Sequence, residues 1–383
     1  MLTNQSKLFS LPKDHIYLNC AYMSPLLKRV EEAGIMGIKG KSNPTSISPS
    51  DFFKNTEILR EEFGKLISTE DHNRIVIIPS ASYGISTVAK NVDVSKGQNI
   101  IVMEEQFPSN YYPWKSLVDK NGAELRTVKA PKLTEGRGKA WNEKILESID
   151  ENTKLVAMTH VHWADGTLYD LKAIRKKTQE VGALLIIDGT QSVGALPFNI
   201  NDIQPDALIC AGYKWLLGPY SIGLAYYGKA FDNGEPLEEN WINRAKSEDF
   251  SGLVNYQDSY QPGSLRYEVG EHSNFILVPM MLEAVRQINT WGPENIQTYC
   301  HNITKDALNR LKGTPYIFEN DQYRAQHLFG IRATKGLDTA RLKELMARDN
   351  IHVSVRGDAV RISPHLYNNA DQISLLVDRI LEL

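Results

Sequence analysis

An acidic residue and a lysine each follow an apolar run in the middle of this chain. Residues 183–187 (ALLII) lead into Asp188, and residues 207–210 (ALIC) lead into Gly212-Tyr213-Lys214. Continuous apolar runs are typical of strands buried on both faces, and ligands bind beyond the carboxyl ends of such strands. The two side chains are therefore expected to face one crevice. There a desolvated lysine can form a Schiff base with a carbonyl compound, and a strand-end carboxylate can keep a pyridine nitrogen protonated.

The pair alone also fits a less specific interpretation, an ordinary strand-end acid and an unrelated surface lysine. Two neighbouring features argue for the specific one. Gln191 follows Asp188 after two residues, and the breaker pair Gly218-Pro219 closes the segment that contains Lys214.

Alternating strand and helix patterns surround these two runs. Strands are predicted at residues 74–78, 99–103, 124–128, 154–159, 184–188, 207–210 and 223–227, and helices near 83–91, 109–121, 141–148 and 171–181. This alternation predicts an α/β fold with a mostly parallel seven-stranded sheet, covered on both faces. From residue 279 the order changes to two long helices, a strand at 327–333 and a closing helix at 371–381. We therefore predict a large domain over residues 15–278 and a smaller α+β C-terminal domain over residues 279–383, joined by the N-terminal segment 1–14.

The composition is typical of a globular enzyme. The 383 residues are 42% hydrophobic and 23% charged, with a net charge of -3. No basic run indicates nucleic-acid binding, and no apolar stretch of about 18 residues indicates a membrane span. The N-terminus lacks the apolar core of a signal peptide, which favours the cytoplasm. The cysteines Cys20, Cys210 and Cys300 have no metal-like spacing, so we expect buried structural thiols and no metal site.

The chain as a whole resembles the class V aminotransferase family of fold-type I pyridoxal phosphate enzymes. The central match is Asp188-x-x-Gln191, followed by Gly212-Tyr213-Lys214 and Gly218-Pro219. Further matches, in the family's order, are Tyr17-Leu18-Asn19-Cys20-Ala21, Ser80-Ala81-Ser82-Tyr83-Gly84, Gln106-Phe107-Pro108-Ser109-Asn110, Thr159-His160-Val161, Arg266-Tyr267-Glu268-Val269-Gly270 and Arg361-Ile362-Ser363. The resemblance covers nearly the whole chain and is to the branch of cysteine desulfurases and isopenicillin N epimerase-like proteins.

The resemblance implies bound pyridoxal 5'-phosphate and assigns roles around its ring. Lys214 would form the Schiff base and then move the α-proton of the substrate. Asp188 would pair with the pyridinium nitrogen. Gln191 would hydrogen-bond the phenolic oxygen, with a solvent-facing glutamine as the alternative.

The phosphate is expected at the start of a helix, where free amides and the helix dipole favour an anion. The hydroxyl of Ser82 and the amides of Ala81 and Ser82 would hold it, although a plain N-cap serine has the same geometry. Tyr213 stands where desulfurase-like relatives carry a histidine. Its hydroxyl could donate to the phosphate, or its ring could be packed in the core.

Other matching positions would line the pocket. Phe107 lies at the ring-stacking position, where phenylalanine can stack but cannot transfer a proton. Trp163 stands where desulfurases carry an asparagine near the phenolic oxygen. His160 and His162 are further pocket candidates, although a lone histidine on a strand is more often structural.

The resemblance also implies substrate and partner contacts. Arg361 matches the arginine that binds the α-carboxylate of an amino-acid substrate, a geometry that suits the guanidinium fork, and Arg356 would assist. A surface ion pair is the alternative for either arginine. The family places its site at a subunit boundary, so we expect a homodimer. The contact with the partner's phosphate would come from one of Glu271, His272 and Ser273.

One departure from the family argues against persulfide chemistry. Cysteine desulfurases carry a nucleophilic cysteine on a loop between the two arginines, and here only residues 357–360 lie there, without cysteine. We therefore favour an aminotransferase-like enzyme of the isopenicillin N epimerase-like branch. A carbon–sulfur β-lyase acting on a cysteine derivative is the alternative enzyme. A non-catalytic pyridoxal phosphate sensor or scaffold is the alternative of another class.

Overall fold

The structure, a computed structural model, describes residues 2–131 and 136–383. Its strands are β1 (Ile16–Tyr17), β2 (Ile75–Ile78), β3 (Asn99–Met103), β4 (Glu124–Val128), β5 (Thr153–Thr159), β6 (Leu184–Asp188), β7 (Ala207–Ala211), β8 (Gly223–Tyr227), β9 (Tyr316–Ile317), β10 (Phe329–Ala333), β11 (Ile351–His352), β12 (Ser354–Arg356) and β13 (Ala359–Ile362). Its α-helices are α1 (Lys28–Lys41), α2 (Asp51–Ile67), α3 (Ala81–Lys90), α4 (Tyr112–Asn121), α5 (Arg137–Ser148), α6 (Leu171–Val181), α7 (Ile200–Ile203), α8 (Leu277–Trp291), α9 (Pro293–Asn309), α10 (Thr339–Arg348) and α11 (Ala370–Leu381). Met1, in the predicted N-terminal segment, lies outside the described residues.

A seven-stranded sheet forms the centre of the molecule, in the order β2-β8-β7-β6-β5-β3-β4. Strands β4, β3, β5, β6 and β7 pair in parallel, whereas β8 is antiparallel to both β7 and β2. The prediction of a mostly parallel seven-stranded sheet is therefore confirmed. The predicted strands 99–103, 124–128, 184–188 and 223–227 have the observed bounds, and the other three differ by one residue at one end.

The central strands are buried on both faces because helices cover each side. Successive side chains of a strand point to opposite faces. In β2, Ile78 belongs to one core with Ile85 of α3 and Trp114 of α4, while Ile77 belongs to the other core with Phe63 of α2. A ligand can therefore reach the sheet only at its edge.

The C-terminal part of the chain forms a smaller antiparallel sheet in the order β12-β13-β10-β9. Helices α8 to α11 accompany it, and their apolar faces join one of the two cores of the central sheet. A smaller α+β C-terminal domain is therefore confirmed. The boundary between residues 278 and 279 stays a prediction; α8 itself begins at Leu277.

The N-terminal segment packs on this C-terminal part. Strand β1 pairs in parallel with β11, and the backbone N–H of Gln5 donates to the carbonyl of Leu366 at 2.7 Å. The buried ring of Phe9 lies 5.0 Å from that of Tyr367 and 6.3 Å from that of Trp291, between ring centres. None of the helices in the described ranges is long and apolar enough to cross a bilayer.

The loop that follows β5 joins the central sheet to the C-terminal sheet. The N–H of Gly330 in β10 donates to the carbonyl of Asp165 at 2.9 Å. Gly166 has a φ of +77°, and a Cβ at this position would lie 2.0 Å from the carbonyl oxygen of Leu328. The close approach of the two sheets therefore needs a glycine here.

Candidate active site

A cavity of about 300 Å³ lies beyond the carboxyl ends of β5, β6 and β7. Residues singled out by the sequence line it: Ala81, Ser82, Phe107, Trp163, Asp188, Gln191, Tyr213 and Lys214. Thr159, Thr190 and Tyr220 also line it. Sequence reasoning had Thr159 only within a family match and missed Thr190 and Tyr220. Strands that are far apart in the chain thus bring the predicted residues to one place.

A tight turn after β7 positions Lys214. The N–H of Gly212 donates to the carbonyl of Ile222 at 2.9 Å, and the N–H of Leu217 donates to the carbonyl of Lys214 at 3.1 Å. A Cβ at position 212 would lie 2.5 Å from the Ile222 carbonyl oxygen, so the turn needs glycine. Lys214 is buried, and its Nζ lies 5.2 Å from the ring centre of Phe107.

The surroundings of Lys214 favour its neutral amine. Burial lowers the pKa of Lys214 to about 8, because it penalises the charged ammonium. The carboxylate of Asp188 opposes this effect, whereas Arg361 and Arg356 add to it. A larger share of Lys214 is therefore unprotonated near neutral pH than for an exposed lysine, which suits a nucleophile.

Thr190 fixes Asp188 at the end of β6. The N–H of Thr190 donates to Oδ1 of Asp188 at 3.0 Å, and its hydroxyl accepts from the N–H of Ala211 at 3.1 Å. Burial raises the pKa of Asp188, while the Thr190 hydrogen bonds and Lys214 lower it in part. A protonated ring nitrogen beside this carboxylate would give Asp188 a cation to pair with.

Ser80, rather than Ser82, is the N-cap of α3. Its hydroxyl accepts from the N–H of Tyr83 at 3.2 Å and lies 2.9 Å from the hydroxyl of Ser82. The amides of Ala81 and Ser82 belong to the first turn, where no intrahelical acceptor exists, and this turn carries no acidic residue. The end of α3 at the cavity is therefore suited to an anion. A serine directly before a helical stretch is a typical N-cap, and sequence reasoning did not apply this signal to Ser80.

Gln191 and Trp163 line the cavity but already have hydrogen-bond partners. Gln191 is buried, so the solvent-facing alternative is wrong; its Nε2 donates to the carbonyl of Ala21 at 3.2 Å and its Oε1 accepts from Trp215 at 2.9 Å. One N–H of Nε2 remains for a ligand. The indole N–H of Trp163 donates to the carbonyl of Glu105 at 2.7 Å, so Trp163 acts as a wall and is not a donor to a phenolic oxygen.

Aromatic rings form two sides of the cavity. Phe107 and Trp163 meet edge to face, with ring centres 5.5 Å apart. Tyr213 is half-buried and lies 4.6 Å from the exposed ring of Tyr220, between centres. Tyr213 is therefore at the mouth of the cavity and is not a packed core residue.

Arg356 and Arg361 lie next to the cavity, beside Trp163. Their guanidinium carbons are 5.9 Å and 6.0 Å from the centre of its ring. Nη1 of Arg361 donates to the Trp163 carbonyl at 3.0 Å, but its buried Nε and Nη2 have no hydrogen-bond partner. The alternative of a surface ion pair is therefore wrong for Arg361.

The other buried arginines show how unusual Arg361 is. Within residues 2–131 and 136–383, the buried arginines are Arg60, Arg137, Arg324, Arg332 and Arg361. All except Arg361 form an ion pair with a carboxylate. A buried charge without a partner is costly to a fold. The donors Nε and Nη2 of Arg361 therefore remain available to an anion.

The two histidine candidates lie outside this cavity. His160 lines a separate cleft of about 1080 Å³. The Nδ1 of His162 lies 2.9 Å from Oδ1 of Asp165, in a buried group with Arg137 and Arg332. Neither histidine therefore lines the cavity that holds Lys214.

Among the residues proposed to reach a partner subunit, His272 turns inward. Its ring is buried, and its Nδ1 lies 3.2 Å from Oε2 of Glu268 in its own chain. Glu271 is exposed, with a φ of +58°, and Ser273 is buried. The identity of the partner's phosphate contact stays a prediction.

The cysteines are not placed for sulfur transfer. Cys20, Cys210 and Cys300 are buried, and burial raises the pKa of each thiol, which opposes the reactive thiolate. Arg356 pairs with Ala359 across the β12–β13 hairpin, so only Gly357 and Asp358 form the turn. In the part of the chain that the structure describes, no group of three or more His, Cys, Asp or Glu residues could hold a metal ion.

Comparisons with known proteins show the family of this chain. The family described as aminotransferase class-V matches residues 39–376. An uncharacterised aminotransferase of Bacillus subtilis (strain 168) is 25% identical over 329 residues, covering 85% of this chain and 83% of that protein. A probable cysteine desulfurase of Methanothermobacter thermautotrophicus is 26% identical over 397 residues, covering 97% of this chain and 96% of the relative.

Solved structures show the same fold. A mutant of C-DES with glycine covalently linked to the PLP cofactor superposes with a TM-score of 0.87 at 17% identity, over 100% of both chains. A complex of the cystine C-S lyase C-DES with its product cysteine persulfide gives 0.83 at 18% identity, over 96% of this chain and 97% of the other. The chain belongs to the class V aminotransferase family. It is a pyridoxal-phosphate-dependent enzyme that acts on amino acids.

Proposed function

We propose that this member of the class V aminotransferase family transfers the amino group of an amino acid, as an aminotransferase-like enzyme of the isopenicillin N epimerase-like branch. The observation that carries the proposal is the unpaired, buried Arg361 beside the cavity that holds Lys214 and Asp188. A scaffold or sensor would need the cofactor contacts but not a desolvated guanidinium for a carboxylate. The site therefore supports catalysis on an amino acid more strongly than the sensor alternative.

The residues present fit pyridoxal phosphate. The cavity of about 300 Å³ suits one substituted pyridine ring. The N-terminus of α3, with Ser80, Ala81 and Ser82, would hold the phosphate. Asp188, which burial leaves with a raised pKa, would hold the ring nitrogen in its protonated form. Phe107 would stack on the ring, and Gln191 would use its remaining N–H toward the phenolic oxygen.

Each side chain then has a separate task. When bound, the cofactor supplies an electron sink for the α-carbon of the amino acid. The amine of Lys214 would bind the carbonyl carbon of the cofactor and, once released, carry the α-proton, since Phe107 cannot transfer one. Arg361 would orient the α-carboxylate through Nε and Nη2. Trp163 would keep water from that side of the site.

A carbon–sulfur β-lyase acting on a cysteine derivative is the second candidate, and one observation favours it over a desulfurase. Elimination needs the same lysine and arginine but no protein thiol, and the described part of this chain has only buried cysteines. C-DES, named a cystine C-S lyase, has this fold. Persulfide transfer to a protein cysteine is opposed by the two-residue turn after Arg356.

The two candidates are separated by following nitrogen. The purified, cofactor-loaded protein is incubated with ¹⁵N-labelled amino acids and an unlabelled α-keto acid. Transfer of ¹⁵N to the keto acid supports the aminotransferase. Release of ammonia and pyruvate without transfer of ¹⁵N would contradict the aminotransferase and support the lyase. If no amino acid changed the visible absorbance band of the cofactor, both enzyme functions would be contradicted and the sensor or scaffold would be supported.

We propose further that the enzyme is a homodimer with each site near the subunit boundary. Tyr22, Met23 and Tyr220 are 55%, 41% and 63% exposed, and Tyr220 lines the cavity mouth. Exposed apolar residues of this kind favour a protein interface. Light scattering of the wild type and of Tyr220→Asp tests this, since the charge should shift the protein toward monomer. A wild-type protein that is monomeric, cofactor-loaded and active would contradict the homodimer.

The cytoplasmic location stays a prediction.

A further inference from the structure

The site has one more positive charge than the proposed reaction uses. Lys214 would bind the cofactor and Arg361 the α-carboxylate of the substrate. Arg356 is a third cation near the same cavity, close enough to act on the charge of both Lys214 and Arg361. The two guanidinium groups beside the Trp163 ring repel each other, because like charges at close range are unfavourable. A bound anion would offset this repulsion.

The side chain of Arg356 has no acidic partner among the residues that the structure describes. Over the described ranges its one side-chain hydrogen bond is to the carbonyl of the preceding residue, Val355, at 2.9 Å. It takes part in no ion pair there, whereas its hairpin neighbour Asp358 accepts from Nε of Arg332 at 2.6 Å. The carboxylate two residues away therefore pairs with a different arginine and leaves Arg356 free.

The backbone fixes the two arginines at different depths. Arg361 is 2% exposed and lies in the middle of the small sheet, opposite Gly330 and Ser354. Arg356 is half-buried, at the end of β12 beside the turn. A deep guanidinium suits the invariant α-carboxylate, and a guanidinium nearer the turn suits a second group that extends from the substrate.

We propose, resting on the proposed function, that Arg356 binds an acidic group on the side chain of the substrate, which is therefore an amino acid with an anionic side chain. Arg361 takes the α-carboxylate and Arg356 takes the side-chain carboxylate or an equivalent acid. The ring of Trp163 lies about equally far from both guanidinium groups and would line both anion sites. A dianionic substrate neutralises both unpaired cations, whereas its neutral amide would leave Arg356 without an anionic partner.

The test compares substrates that differ only in this charge. Aspartate is paired with asparagine, and glutamate with glutamine, as ligands of the cofactor-loaded enzyme. We expect kcat/KM for the better acid to exceed that for its amide by about 10- to 100-fold, the range of one charge-assisted hydrogen bond. Titration of the visible cofactor band gives the dissociation constants independently of turnover.

Variants then assign the preference to one residue. Arg356→Gln should remove the preference for the acid and leave the constants of the amide nearly unchanged, and Arg356→Lys should restore part of it. Arg341→Gln on α10 removes an arginine paired with Glu344. This control variant should change neither the preference for the acid nor the constants of the amide. The cofactor band of each variant should match that of the wild type, which shows that the site is intact.

A binding measurement without chemistry completes the test. Succinate carries two carboxylates and succinamate one, so calorimetry on the cofactor-loaded wild type should show tighter binding of succinate, and Arg356→Gln should abolish the difference. Equal losses for acid and amide in Arg356→Gln would overturn the inference and place Arg356 on the α-carboxylate. Amides that react as well as acids would also overturn it while leaving the proposed function intact. If no amino acid changed the cofactor band of the wild-type enzyme, both this inference and the proposed function would be overturned.

Discussion

Replacing Arg361 by methionine should make the protein more stable and unable to bind its substrate well. Burial, together with repulsion from Arg356, lowers the pKa of Arg361 to about 9. The unfolded chain thus binds this proton more tightly than the folded chain, and the full cost applies at neutral pH, below both pKa values. At about 1.4 kcal/mol for each tenfold change in proton affinity, the charge costs the free protein roughly 5 kcal/mol.

Part of that cost should be recovered in Arg361→Met. The variant loses the hydrogen bond to the Trp163 carbonyl, worth about 1 kcal/mol, and methionine does not fill the space of a guanidinium perfectly. Replacement of a whole buried ion pair by apolar side chains is typically neutral or stabilising by about 1–4 kcal/mol, and the charge replaced here has no ionic partner to lose. We therefore expect the free energy of unfolding to rise by about 1–3 kcal/mol, while the affinity for an amino acid falls by about 10- to 100-fold.

The matched control is Arg332→Met. Arg332 is similarly buried, but it pairs with Asp165 and Asp358. Arg332→Met takes one cation from the buried carboxylate of Asp165, which keeps Arg137. The variant should therefore be destabilised, by less than the about 3–5 kcal/mol that a fully broken buried ion pair typically costs. Urea unfolding of the cofactor-free proteins measures both effects, and titration of the cofactor band with amino acids measures the affinities.

The two variants should thus move stability in opposite directions. If Arg361→Met destabilised the protein as much as Arg332→Met and left amino-acid affinity unchanged, Arg361 would be a structural residue. That outcome would also remove the main support for the proposed function.

The remaining predictions concern the lysine and two carboxylates. Lys214→Ala should abolish the visible band of the lysine-bound cofactor, and a retained band would refute its assignment; in the cofactor-free wild type, acylation of Lys214 should rise with pH around a midpoint near 8. Asp188→Asn should keep the cofactor bound but slow turnover by about 100-fold or more, and an unchanged rate would exclude its role at the ring nitrogen. Asp358→Ala should lower the free energy of unfolding by less than about 1 kcal/mol, because the carboxylate is 72% exposed. It should nevertheless raise KM for the amino acid severalfold at constant kcat, and an unchanged KM would show that its ion pair does not position the arginines.

The sequence predicts the central sheet well because its strands carry a strong local signal. Residues 100–103 and 184–187 are apolar runs bounded by polar or glycine-containing segments, and the structure has strands at 99–103 and 184–188. Burial on both faces requires such runs in any parallel sheet. The residues at the ends of these strands could therefore be expected at one edge, as observed for Asp188 and Lys214.

The hydrogen-bond partners within the site could not be predicted from the sequence. Gln191 bonds with Ala21 and Trp215, which are distant in the chain or on the next loop, and no local pattern reports such contacts. Trp163 resembled a cofactor residue by position, yet its indole N–H is used by the carbonyl of Glu105. Partners of this kind depend on how loops from different strands pack, which a single sequence does not encode locally.

The pairing of the buried charges links the shape of the site to its chemistry. Asp165 accepts from Arg332 at 2.9 Å, and Arg332 reaches Asp358 in the β12–β13 turn, so this short hairpin is tied to the loop after β5. The same loop holds Arg361 through the carbonyl of Trp163. A hairpin fixed at both its turn and its middle has no room for a long mobile segment that would deliver a cysteine to the substrate. It can instead hold two guanidinium groups in fixed positions. The structure therefore favours a reaction in which the substrate is held by its own charges over one that needs a protein thiol.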